Sequence, residues 1–66
     1  MPEAYVRVRL LSDRFRSEGL QPGAFGYIIE VYPGGEYEVE FSQADGTTIA
    51  QVVLTESDFA VDEPTQ

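Results

Sequence analysis

Four stretches of the 66-residue chain have a two-residue rhythm or a β-rich composition, and each reads as a half-buried strand. Tyr5 to Leu11 sets Val6, Val8 and Leu10 against Arg7 and Arg9. Phe25 to Tyr32 is dominated by β-branched and aromatic residues and stops at Pro33-Gly34-Gly35. Glu36 to Phe41 alternates acid with apolar residue without a break. Thr48 to Leu54 is again β-rich and follows Asp45-Gly46, a strong hairpin signal. Ser12 to Ala24 has no sustained period and holds Gly19, Pro22 and Gly23, so a long first loop is expected there. Thr55-Glu56-Ser57-Asp58 has the pattern of a capped start, which predicts one short helical turn before Phe59 and Val61 return as a fifth strand. Residues 1–61 then form a single domain, and residues 62–66 form a polar tail.

The two hairpins fix a register, because a slip of one residue exchanges the faces of a strand. A three-residue loop at Pro33-Gly34-Gly35 pairs Val31 with Tyr37, Ile29 with Val39 and Tyr27 with Phe41, so every inward pair is apolar. A two-residue loop at Asp45-Gly46 pairs Phe41 with Ala50, Val39 with Val52 and Tyr37 with Leu54. Five short antiparallel strands, a long first loop and a helical turn before the last strand describe an all-β, SH3-like barrel. On the outer face of that barrel Glu30 stands opposite Glu38, Tyr32 opposite Glu36 and Ile28 opposite Glu40, with Gln51 and Val53 on the next strand.

Charge sharpens this picture. The chain has 4 basic and 12 acidic residues, for a net −8, and no histidine, cysteine or tryptophan. All four bases are arginines within the first 16 residues, so the acids beyond them are unopposed in sequence. Such a balance repels nucleic acid and anionic membranes and attracts basic surfaces. Without Cys or His there is no disulfide, no thiolate nucleophile, no Ser-His-Asp triad and no zinc site of the usual kind. No apolar run approaches the ~20 residues of a membrane span. Met1-Pro2-Glu3-Ala4 lacks the features of a signal peptide, so a cytoplasmic location is expected.

Several strings have a chemical reading and a structural one. Carboxylate pairs serve glycoside hydrolysis only in a concave site that raises one pKa, which a convex strand does not offer, so no catalytic residue is expected. Asp45-Gly46 lacks EF-hand spacing, and neither a metal nor a cofactor is expected. Gly23-Ala24-Phe25-Gly26 has the GxxG spacing of a backbone-clamping RNA loop but no basic neighbours, so its glycines are read as a tight turn and bulge into the second strand. Arg14 and Arg16 are read as internal partners of the acidic surface.

The outer acids are the candidate site. Residues two apart on a strand lie roughly 6.5–7 Å from each other, so Glu36, Glu38 and Glu40 make a carboxylate line that Glu30 widens into a patch. Solvated acids that keep a sheet soluble are one explanation. A recognition surface is the other, favoured by the absence of any base on these strands and by Ile28, Tyr32, Ile49 and Val53 as apolar or aromatic anchors among the acids. Glu30, Tyr32, Glu36, Glu38, Glu40 and Val53 are therefore the expected partner-binding residues.

The ordered string Glu18-Gly19-Leu20, Pro22-Gly23, Gly26-Tyr27-Ile28-Ile29-Glu30-Val31-Tyr32, Gly35, Tyr37-Glu38-Val39-Glu40-Phe41, Asp45-Gly46 and Ala50 resembles one family of small bacterial proteins. That family is known as domain of unknown function four-nine-two-six. The resemblance runs from residue 5 to about 61, and the Glu-Val-Tyr to Tyr-Glu-Val-Glu-Phe hairpin is its most specific part. It implies an SH3-like barrel without assigned catalysis, and the small partner of a toxin-antitoxin or effector-immunity pair. Two binding functions follow as expectations. The protein is an antitoxin or immunity protein whose acids stand in for nucleic-acid phosphates on a basic partner, or it is an adaptor subunit docking onto a larger complex. A receptor for proline-rich peptides needs a groove of aromatics, for which Phe15 is the sole candidate in the first loop.

Overall fold

A computed structural model describes residues 4–62; of the tail expected over residues 62–66, all but Asp62 lies outside the described residues. The elements in chain order are β1 (Arg7–Leu10), a 3-10 turn (Arg16–Glu18), β2 (Phe25–Tyr32), β3 (Glu36–Ser42), β4 (Thr48–Thr55), a second 3-10 turn (Glu56–Asp58) and β5 (Phe59–Val61). They form one antiparallel sheet in the order β4-β3-β2-β1-β5. This order, with a long first loop, two tight hairpins and a 3-10 turn before the last strand, is that of a small SH3-like fold. Asp62 extends the β1–β5 pairing by one step, its N–H donating to the Arg7 carbonyl at 2.8 Å.

The core follows from alternation. Val8 and Leu10 of β1, Tyr37, Val39 and Phe41 of β3, Leu54 of β4 and Phe59 of β5 are buried together. Pro33-Gly34-Gly35 forms the expected three-residue loop, with Gly34 and Gly35 both at positive φ (88° and 83°). Thr55 and Asp58 form the capping box that the sequence pattern predicts. The first loop supplies more of the core than its irregular sequence implies, for Phe15 and Leu20 are both buried in it. Phe15 is thus a packing residue rather than one wall of an open groove.

Two bulges modify the register. The second hairpin closes through three residues, Ala44 to Gly46, with the Gln43 N–H bonded to the Thr47 carbonyl and Gly46 at φ 91°. The extra loop residue is compensated by a shift between Phe41 and Ser42 that leaves Ile49 out of the pairing, so the expected pairs of Phe41 with Ala50, Val39 with Val52 and Tyr37 with Leu54 all form. In the other hairpin Val31 pairs with Tyr37 and Glu30 with Glu38, but a bulge then drops Ile29, and Ile28 pairs with Val39. Beyond that point the two faces of β2 are exchanged, while those of β3 are unchanged. Ile28, expected outside, is fully buried, and Tyr27, expected inside, is 51% exposed. The cause lies at Gly26, which sits opposite Phe41. A Cβ there would fall 2.7 Å from the Glu40 carbonyl oxygen and 2.8 Å from Phe41 Cδ1, so only glycine leaves room for the Phe41 ring.

Candidate functional site

The outer face of β2, β3 and β4 carries the six expected residues in cross-strand rows. Glu30, Glu38 and Val53 make one row, and Tyr32, Glu36 and Thr55 the next. Glu40 lies between Tyr27 and Gln51 rather than beside Ile28. The register therefore unites Glu30, Tyr32, Glu36, Glu38, Glu40 and Val53 on one surface, while Ile28 leaves it for the core. Glu30, Glu36 and Val53 are exposed; Tyr32, Glu38 and Glu40 are half-buried by their neighbours.

Neutral donors, not cations, hold Glu38 and Glu40 in place. Glu38 accepts the Tyr32 hydroxyl at 2.8 Å on one oxygen and Gln51 Nε2 at 3.2 Å on the other. Glu40 accepts the Thr48 hydroxyl at 2.6 Å. The Tyr32 phenol is pushed above its ordinary pKa by that hydrogen bond first, then by burial and by the charges of Glu38 and Glu30. The ion pairs of the described residues, Arg7 with Asp62, Arg14 with Asp58 and Arg16 with Asp13, involve none of these four glutamates. Arg14 and Arg16 do pair internally with acids, as expected, but the acids are Asp58 and Asp13 rather than those of the outer face. Arg14 grips Asp58, the partner of Thr55 in the capping box of the second 3-10 turn, and Arg16 pairs within its own loop.

The bulge brings in residues that alternation alone did not place. Tyr27 lies between Arg7 and Glu40, and Phe25 lies opposite Arg9, so the acidic face borders two exposed aromatics and two arginines of β1. Arg7 rests over the Phe25 ring at 5.3 Å while it pairs with Asp62. A strand glycine marks a bulge or a close approach, so Gly26 was the signal that pointed here. Among the described residues no group of three or more acidic side chains is gathered as a metal site. Among these residues no helix is long and apolar enough to cross a membrane.

Comparison with known families matches residues 5–61 to the family described as Domain of unknown function (DUF4926). The chain belongs to that family. No curated protein and no solved structure matches it.

Proposed function

We propose that this member of the DUF4926 family is a non-enzymatic binding protein, an antitoxin or immunity protein that neutralises a basic toxin or effector by covering its active surface. The observation that carries the reading is the packing of Glu30, Glu36, Glu38 and Glu40 on one face whose strands hold no lysine or arginine. Like charges directly opposite destabilise a sheet, as Glu30 and Glu38 must. A basic partner would convert that repulsion into attraction. Row spacing of about 4.8 Å across strands and roughly 7 Å along them presents the carboxylates as an array that a basic partner surface can meet at several points. Val53 and Tyr32 supply apolar contact within the acids.

The experiment is affinity capture of the partner from the native host, followed by association kinetics of a Glu36→Gln/Glu38→Gln/Glu40→Gln variant at low and high salt. Long-range attraction acts on encounter and is screened beyond the ~10 Å Debye length at 0.1 M, so the variant should associate more slowly at low salt and converge with the parent at high salt. Equal association at both salts, from a folded variant, rules the acidic face out as the contact surface.

A further inference from the structure

The two edges of the sheet differ in kind. β5 closes one side with three residues, too few to template much pairing. β4 closes the other with eight, Thr48–Thr55, whose sequence TIAQVVLT holds neither a charge nor a proline. Charges and prolines are devices by which edge strands avoid unwanted partners. Among the described residues β4 pairs with β3 alone, and no turn or loop backbone bonds to residues 48–54. Its side chains are incompletely covered too. Val53 is 41% exposed, and Ala50 and Val52 are only half-buried although Phe41 and Val39 opposite them are fully buried.

We propose that the open edge of β4 is a strand-docking site, and that its occupant is an extended segment of a basic protein in which basic and apolar residues alternate. The proposal rests on the basic-partner reading and adds how that partner is held. A strand added at this edge lies about 10 Å from β3, two strand spacings away. On the outer side its lysines or arginines reach across Gln51 and Val53, both uncharged, to Glu36, Glu38 and Glu40. On the inner side its alternate residues cover Ala50 and Val52 and complete the core. Main-chain hydrogen bonds supply affinity in this mode and the alternating side chains supply selectivity. A second copy of the chain suits the edge poorly. Joining two β4 edges would set two β3 carboxylate rows about 14 Å apart on bodies that each carry −8.

The test uses the blocked peptide (Lys-Val)4, titrated into the isotope-labelled protein, with amide hydrogen exchange followed by NMR. The β4 amides that point away from β3 should slow on the order of tenfold or more at saturation, at low salt only, while (Glu-Val)4 has no effect. Gln51→Lys, an exposed substitution that places a charge on the edge, should keep the fold and abolish the protection. Salt-sensitive binding of (Lys-Val)4 that leaves β4 exchange unchanged overturns the edge site and leaves the acidic-face reading standing. Protection of β4 that survives the triple glutamine variant with undiminished affinity supports the edge and removes the acids from it. Absence of peptide binding overturns the edge site, as does concentration-dependent dimerisation of the free protein with the same β4 protection, which assigns the edge to a second copy.

Discussion

Arg14 and Asp58, 44 residues apart, meet through two parallel bonds, Nε to Oδ1 at 2.9 Å and Nη2 to Oδ2 at 2.8 Å. Asp58 is 4% exposed, and its second role is to accept the Thr55 N–H at 2.9 Å. One carboxylate thereby fastens the first loop to the turn that delivers β5. The Arg14 guanidinium also lies over the Phe15 ring at 4.5 Å, so the clamp positions a core aromatic as well.

This geometry orders three variants by stability. Asp58→Asn keeps an acceptor for Thr55 and should cost least. Asp58→Ala removes the clamp together with the acceptor for the Thr55 N–H, and a hydrogen bond to a charged group alone is worth about 1.5–3 kcal/mol. Arg14→Met should cost more than Asp58→Asn, because it leaves a buried carboxylate without its cation. Urea melts of the three variants check the order.

The same pair sets an acid limit. Hydrogen bonds from Arg14, then from the Thr55 backbone, hold the Asp58 carboxyl well below the usual carboxylate range. A group whose native pKa is depressed contributes stability that is full above its unfolded value, near 3.9, and is lost as pH falls from there toward the native value. Thermal midpoints should therefore decline below about pH 4–5, and the decline should be shallower in Asp58→Asn. An identical slope in the variant would assign the acid loss to other carboxylates.

The exchanged faces of β2 give a sharp contrast. Ile28→Ala should cost about 2–5 kcal/mol, as fully buried aliphatic truncations do, and Tyr27→Thr should stay within about 0.5 kcal/mol. Gly26→Ala should cost about 1–3 kcal/mol by crowding Phe41. Adding Phe41→Leu should recover part of that loss, since the Glu40 carbonyl oxygen remains in the way. Denaturation midpoints of the four single variants and the double variant measure this.

Why β2 misled while β3 did not is visible in the residues. Glu36 to Phe41 carries acids at one parity and apolar residues at the other, so only one register buries Tyr37, Val39 and Phe41 together. Phe25-Gly26-Tyr27-Ile28-Ile29 is apolar at both parities, and a period of two has nothing to discriminate. The choice is made across the sheet, by the space that Phe41 needs above Gly26. Phe15 and Leu20 were hidden for a related reason, since a loop without period can still bury two side chains. The acids of the candidate site were legible because Glu30, Glu36 and Glu38 lie on the hairpin side of the bulge and Glu40 belongs to the regular strand.

Val39→Asp and Glu38→Lys, adjacent on β3, should behave oppositely. Val39 is fully buried, and an unpaired charge there costs several kcal/mol, comparable to the whole stability of so small a domain. Glu38→Lys exchanges one side of a like-charge pair with Glu30 for an opposite charge, and should remain folded. Circular dichroism melts distinguish them, and a folded Val39→Asp beside an unfolded Glu38→Lys would reverse the faces of β3.

The bond from the Tyr32 hydroxyl to Glu38 makes the acidic face measurable by alkaline titration. The phenol is raised above its ordinary value because ionising it would break the hydrogen bond to Glu38 and place a third negative charge near Glu38 and Glu30. A group whose native pKa is raised contributes stability that is full below its unfolded value, near 10, and is lost as pH rises through the native value. Tyr37 is raised as well, by its bond to Glu56, so two late-ionising tyrosines are expected in the phenolate absorbance of the parent. Glu38→Gln should move one of them toward the ordinary range, because the remaining amide oxygen accepts the bond without the charge. Tyr32→Phe should delete that same transition and leave the Tyr37 step in place. If Glu38→Gln leaves both late transitions where they were, Glu38 does not govern Tyr32, and the two residues do not act as one anchored unit at the centre of the face.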